Sequence, residues 1–150
     1  MLITCLLRKD TVFVPTVARR VSGPIYTEIE PIRVVPLNDL DAVREALRES
    51  LRRGNAIIPD PGPQELRAPP AILKYARVRS WSAFFRTAST WSIRDDDGLF
   101  KIIGYRKHPK GYWEQDIENE IKFPLGTNVE EVIDRVIVLL QQTALESDKA

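Results

Sequence analysis

The sequence predicts an α+β domain in which an antiparallel β-meander sheet is packed by amphipathic helices, and three features carry that prediction. Two turn signals, Asp97-Gly98 and Pro109-Lys110-Gly111, divide residues 90–123 into three segments of alternating polarity. Two stretches repeat apolar residues at helical spacing behind a capping residue: Leu40, Val43, Leu47 and Leu51, then Val129, Val132, Ile133, Val136, Ile137 and Leu140. Three apolar runs precede the first of those helices, the second and third joined by a turn signal.

Met1–Leu7, Val12–Ala18 and Ile25–Val35 are the expected opening strands, with Ser22-Gly23-Pro24 turning between the second and third. Asn38 or Asp39 then caps a helix over 39–53, which Gly54-Asn55 stops. Its outer side carries Arg44, Glu45, Arg48, Glu49, Arg52 and Arg53, with Glu49 and Arg53 one turn apart as an expected ion pair. Pro59, Pro61, Pro63, Pro69 and Pro70 argue for an extended connector that holds neither helix nor inner strand. The chain is therefore read as one domain over 1–150: an N-terminal half 1–58, a proline-rich connector 59–70 and a C-terminal half 71–146, with 147–150 a frayed tail.

In the second half, Ala71–Val78 is a short apolar segment, and Ser80 caps a brief helix that puts Trp81, Phe84 and Phe85 on one side. Closing Asp97-Gly98 as a two-residue turn sets Ile93 opposite Ile102 and Trp91 opposite Gly104, so Trp91, Ile93, Phe100 and Ile102 share a face. Trp113, Ile117, Ile121 and Phe123 have one parity on the third strand and are expected on that same face. Thr127 or Asn128 caps the last helix, with Glu130 or Glu131 completing a capping box. Val138 and Leu139 widen its apolar stripe, which reads as deep burial or as a homodimer contact through this helix. Residues 28–37 and 118–125 are alike, Glu-Ile-Glu-Pro-Ile-Arg-Val-Val-Pro-Leu against Glu-Asn-Glu-Ile-Lys-Phe-Pro-Leu, and each precedes a capped helix. Two similar strand-then-helix halves are one reading of this; common strand-to-helix grammar is the other.

At 150 residues, with 43% hydrophobic and 29% charged side chains, the chain can bury a core without staples and is too polar for a membrane protein. Met1–Leu7 lacks a basic leader and a small-residue cleavage site, so no signal peptide is expected and a cytoplasmic location is. Cys5, the single cysteine, can form neither an internal disulfide nor a multi-cysteine metal site, and burial is its expected fate. A net charge of +1 exerts no global pull toward nucleic acid or anionic membrane.

The sequence contains no glycine-rich phosphate loop, nucleophile elbow, HExxH or paired cysteines, so a non-enzymatic chain without cofactor is expected. His108 stands alone beside Pro109 at a hairpin tip, without a neighbour to orient it as a base or partners to share a zinc ion. Asp95-Asp96-Asp97 lacks the alternate spacing of a calcium loop and reads as turn chemistry.

Charge patterning is more informative. Glu114, Asp116, Glu118 and Glu120 recur at period two, which on a strand would line four carboxylates outward. Lys101 and Lys107 can offset them across the sheet, the ordinary reading of a charged outer face. In the functional reading they join Glu28 and Glu30 in an acidic surface that recruits a basic protein partner. A second surface, Tyr105, Arg106, Lys107, Lys110 and Tyr112 beside His108 and Trp113, mixes base and ring as single-stranded nucleic-acid binders do. Nucleic acid is nonetheless disfavoured, because the neighbouring acids repel phosphate and no RNP-like motif is present. Trp81, Trp91 and Trp113 offer a third reading, a small-ligand pocket between the sheet and the Trp81–Phe85 helix, against their usual core role. A small acidic-faced α+β chain is similar in shape and charge to bacterial immunity and inhibitor proteins, which implies a non-enzymatic protein-binding module; no family-specific motif accompanies the likeness.

Overall fold

The structure, a computed structural model, describes residues 1–148. The opening runs form β1 (Leu2–Arg8), β2 (Thr11–Arg20) and β3 (Tyr26–Pro36). Helix α1 (Leu40–Arg53) starts where the Asp39 carboxylate accepts the Ala42 N–H at 3.1 Å, and stops where Gly54 takes a φ of 65°, a left-handed conformation that disfavours side chains. Beyond β4 (Ile57–Ile58) come three short helices, α2 (Pro63–Arg67), α3 (Ile72–Ala76) and α4 (Trp81–Thr87), the last capped by the Ser80 hydroxyl accepting from Ala83 N–H. The chain then runs through β5 (Ala88–Asp96), β6 (Leu99–Lys107), β7 (Trp113–Gln115), a 3-10 turn (Ile117–Asn119), β8 (Ile121–Lys122) and α5 (Val129–Asp148).

Among the described residues, eight strands join in one sheet ordered β3-β2-β1-β5-β6-β7, with β4 also beside β2 and β8 beside β6. All pairings are antiparallel except β2 with β4. Strand β1 pairs with β5 from Leu2 opposite Arg94 to Arg8 opposite Ala88, so segments on either side of the connector share one hydrogen-bonded sheet. The Asp97-Gly98 turn closes as expected, with Ile93 opposite Ile102 and Trp91 opposite Gly104. Register slips once between Pro15 and Thr16, where proline has no N–H to give the ladder.

The period of two sorts side chains between two cores. Ile3, Cys5, Val14, Trp91, Ile93 and Ile102 face α1 and α5, whose Val43, Leu47, Val132, Ile133, Val136 and Leu140 close that side. Leu6, Phe13, Ile32 and Ala88 point the other way and meet Ile72, Leu73 and Phe84 of α3 and α4. Cys5 is 2% exposed, and burial pushes its thiol up to about 12, which leaves it protonated and inert at neutral pH. Along their outer margins α1 and α5 are joined by the Arg48–Glu130 pair, two hydrogen bonds of 2.6 and 2.9 Å, and by Arg44 to Asp134 at 2.7 Å. Val138 is 38% exposed on α5, whereas Leu139 packs partly against the core.

Several local expectations are corrected. The connector does contain a helix, because Pro63 occupies its first turn, where a missing N–H costs nothing. The third meander strand is not continuous. Trp113 is drawn to the α4 side, its ring centroid 5.3 Å from Trp81 and 5.1 Å from Phe85, while Ile121 and Phe123 pack with the α1–α5 core. An unbroken strand would place 113 and 121 on the same face; the 3-10 turn between them supplies the change of face and leaves Ile117 64% exposed. Glu49 pairs with Arg33 at 2.6 Å rather than with Arg53, which donates to the Thr16 hydroxyl. Helix α5 continues through Ser147 to Asp148, and the remaining tail residues, 149 and 150, lie outside the described residues. Both strand-then-helix units occur, β3 before α1 and β8 before α5, but their strands are 11 and 2 residues long.

Leu47, fully enclosed between α1 and the sheet, tests the larger core. Leu47→Ala is expected to lower unfolding free energy by about 2–5 kcal/mol in denaturant titration. Leu145→Ala on the exposed side of α5 should change it by no more than about 0.5 kcal/mol.

Candidate partner-binding groove

The sheet face turned away from α1 and α5 is only partly covered. Helices α3 and α4 lie over Leu6 and Phe13, and beyond them the same face is open. Parity puts Leu2 and Thr4 of β1, Val17 of β2, Tyr26 and Glu28 of β3, Thr90 of β5 and Tyr105 of β6 on this open side, where with Trp113 they line a hollow of about 210 Å³. It adjoins a larger groove of about 1000 Å³ bounded by β3, by the connector from Asp60 to Ala71, and by Trp81 and Trp113. Tyr26, Glu28 and Trp113 are common to both.

The connector wall is held by one buried arginine. Arg20 is 6% exposed, and its guanidinium donates to the Thr27 hydroxyl at 3.1 Å, the Pro59 carbonyl at 2.7 Å and both Glu65 carboxylate oxygens at 3.3 and 3.0 Å. Helix α2 buries none of its own side chains, so these polar contacts carry its attachment to the sheet. The opposite wall is an aromatic cluster in which Trp81, Phe84, Phe85 and Trp113 meet at centroid distances of 5.1 to 6.4 Å. The Trp81 indole N–H donates to the Gly111 carbonyl at 3.2 Å, which ties the β6–β7 hairpin tip to α4.

Four carboxylates, Glu28, Glu30, Asp60 and Glu65, line the larger groove against the single guanidinium of Arg20. Glu30 accepts from Tyr75 Oη at 2.5 Å and Lys74 Nζ at 2.9 Å, and these bonds, the tyrosine's first, hold its carboxyl below the usual range. Asp60 accepts the Ser22 N–H at 3.2 Å. Glu28 differs. Its Oε1 accepts from Thr4 Oγ1 at 3.0 Å, but among the described residues no cation pairs with it. Solvent reaches it through the groove, yet the protein packed around it pushes its carboxyl pKa up, and the Thr4 bond only partly opposes this.

Of the six acids expected on one surface, the groove brings together Glu28 and Glu30 only. The remaining four are dispersed by the 3-10 turn. Glu120 has a side chain 14% exposed, between Lys122 at 3.5 Å and Lys101 at 3.9 Å. Glu114 stands 3.7 Å from His108 Nε2. Asp116 accepts from Asn119 Nδ2 at 2.9 Å through one oxygen while its buried Oδ1 has no partner, and Glu118 is exposed. The basic and aromatic set is divided as well. Tyr105 shares a 2.8 Å hydrogen bond with Ser92 and faces the hollow, while Lys107 donates to the Arg86 carbonyl at 2.9 Å. Tyr112 stacks on His108 at 4.4 Å, and Arg106 and Lys110 are exposed. His108 Nδ1 accepts the Lys110 N–H at 3.0 Å, a turn-closing role, and Asp95 likewise accepts the Gly98 N–H at 2.8 Å. Of the three tryptophans, Trp81 and Trp113 border the groove, whereas Trp91 belongs to the other core. Arg20, Asp60 and Glu65 escaped sequence reasoning; an arginine ending an apolar strand was the one available signal.

Among the described residues, no three metal-ligating side chains converge, and no helix is long and apolar enough to cross a membrane. The fold is similar to that of two solved structures. A protein of unknown function, NMB0488 from Neisseria meningitidis, superposes with a TM-score of 0.63 at 13% identity, covering 89% of this chain and 88% of that one. A chain of the CdiA-CT/CdiI toxin and immunity complex from Yersinia pseudotuberculosis superposes with a TM-score of 0.63 at 11% identity, covering 95% of each. No protein-family model and no curated protein sequence matches.

Two predictions test this geometry. Because the Glu28 pKa is raised on folding, its contribution is most favourable below the ordinary glutamate range and is lost as pH rises through the folded value. Glu28→Gln should therefore melt above the wild type at pH 8, with the gap shrinking as pH falls toward about 4, read by calorimetry. Arg20→Ala is expected to lower unfolding free energy by about 1–3 kcal/mol and to concentrate new cuts within residues 59–68 in mass-mapped limited proteolysis.

Proposed function

We propose that this chain is a non-enzymatic protein-binding module of the immunity type, which docks a basic protein partner in the acidic groove between β3, the connector and α4. One observation carries the reading: four carboxylates line a concave wall, and with Glu30 paired to Lys74 and Glu65 to Arg20, Glu28 and Asp60 are left without a cation among the described residues. Segregated negative charge in a concavity focuses the field outward, steering a positively charged surface and selecting against acidic ones. The same field opposes phosphate backbones, which argues against nucleic acid. The fold likeness to a chain of a toxin and immunity complex supports a protein as the occupant, and a toxin domain as its class. Glu114 and Glu118, outside the groove, contribute steering at longer range.

Affinity capture from the native cell, with identification of bound proteins, tests the reading. The wild type should retain a basic protein, and raising the salt should weaken retention. Glu30→Lys combined with Asp60→Lys should reduce the measured affinity about tenfold or more, equivalent to roughly 1.4 kcal/mol. Asp116→Lys with Glu118→Lys should change it less. Equal binding by the groove variant, or no retained partner, overturns the assignment.

A further inference from the structure

Building on that reading, we propose that Glu28 and the rings around it form a seat for one cationic side chain, an arginine or lysine carried by the partner's docking segment. Among the groove carboxylates, Glu30 is matched to Lys74 and Glu65 to Arg20, while Asp60 caps the Ser22 amide. Glu28 shares the floor of the inner hollow with Thr4, and its Oε2 has no hydrogen-bond partner among the described residues. Glu28 is open to solvent at the mouth of the hollow and has no counter-ion among the described residues, so a cation can reach its Oε2 without displacing a protein partner and gains from the charge it meets there.

The surroundings suit a long basic side chain, whose apolar stem can lie against Leu2 and Val17 while its charged head meets Glu28. Tyr26, Tyr105 and Trp113 line the hollow, and aromatic rings attract guanidinium and ammonium groups through their negative faces. Thr4 donates to Oε1 and so fixes the carboxylate in place, with Oε2 left as the acceptor. Positions of this kind, with acceptor and rings set by a sheet, are preorganised and need no rearrangement on binding.

Size decides between a side chain and a free ligand. The hollow holds about 210 Å³, less than the roughly 300–1,000 Å³ of small-molecule sites, and opens into the groove of about 1000 Å³. A long basic side chain can enter the hollow while the segment that bears it lies in the groove. A second function for the groove follows: it sets the register of the docked segment, because one cation must align with one carboxylate.

The test uses acetyl-Gly-Arg-Gly-amide, its lysine counterpart and its citrulline counterpart, the last a neutral isostere of arginine. Each is titrated against the full chain while the indole N–H resonances of Trp113, Trp81 and Trp91 are followed by NMR. The basic peptides should shift Trp113 saturably below about 10 mM, with Trp91 unmoved and the citrulline peptide silent. Glu28→Gln, with folding checked by circular dichroism, should weaken the shift about tenfold or more. Equal shifts from citrulline, an unaltered response in Glu28→Gln, or no shift with either basic peptide overturns the seat. Spermidine binding more tightly than both peptides overturns the side-chain assignment in favour of a free polyamine. Partner capture by the wild type without any peptide shift defeats the seat alone, whereas peptide binding without any captured partner retains the seat and defeats the docking reading.

Discussion

The register between β1 and β5 is the constraint on which the rest of the molecule depends. With Cys5 opposite Trp91 and Ile3 opposite Ile93, large apolar side chains meet α1 and α5, and Thr4 and Thr90 are left for the other side. A slip of one residue would exchange these sets, sinking hydroxyls into a dry core and exposing an indole. The same pairing joins strands from before and after the connector, so the groove floor is assembled from distant segments on the reverse of the sheet that carries the larger core.

Much of this was legible because it is local. Turn length and parity together determine which residues oppose each other, and the β5–β6 hairpin shows that pairing residue for residue. Caps at Asp39 and Ser80 follow from chemistry within three residues. The third meander strand shows where such reasoning stops. Its apolar residues at 113, 117, 121 and 123 share one parity, but the pull of α4 on Trp113 is a tertiary effect, and it breaks the strand to reach Trp81 and Phe85. Four carboxylates at period two thereby lost the common face that the pattern promised.

The groove was half legible for the same reason. Glu28 and Glu30 stood out as acids on a strand, but their companions Asp60 and Glu65 arrive from a connector whose composition says only that it is extended. Nothing in the order of residues announces that Arg20 reaches across some forty positions to hold that connector; the contact exists only after the sheet has formed. A nearly neutral chain can thus carry a local excess of carboxylates, since net charge sums over all sides of the molecule.

Because α2 buries no side chain and hangs on one guanidinium, the wall it forms is mechanically separate from both hydrophobic cores. Changes within residues 61–69 that keep Glu65 against Arg20 would alter the width and charge of the cleft without disturbing a single packed strand. Sequence variation can therefore accumulate in that strap at little expense to folding, provided the carboxylate that answers the guanidinium is kept.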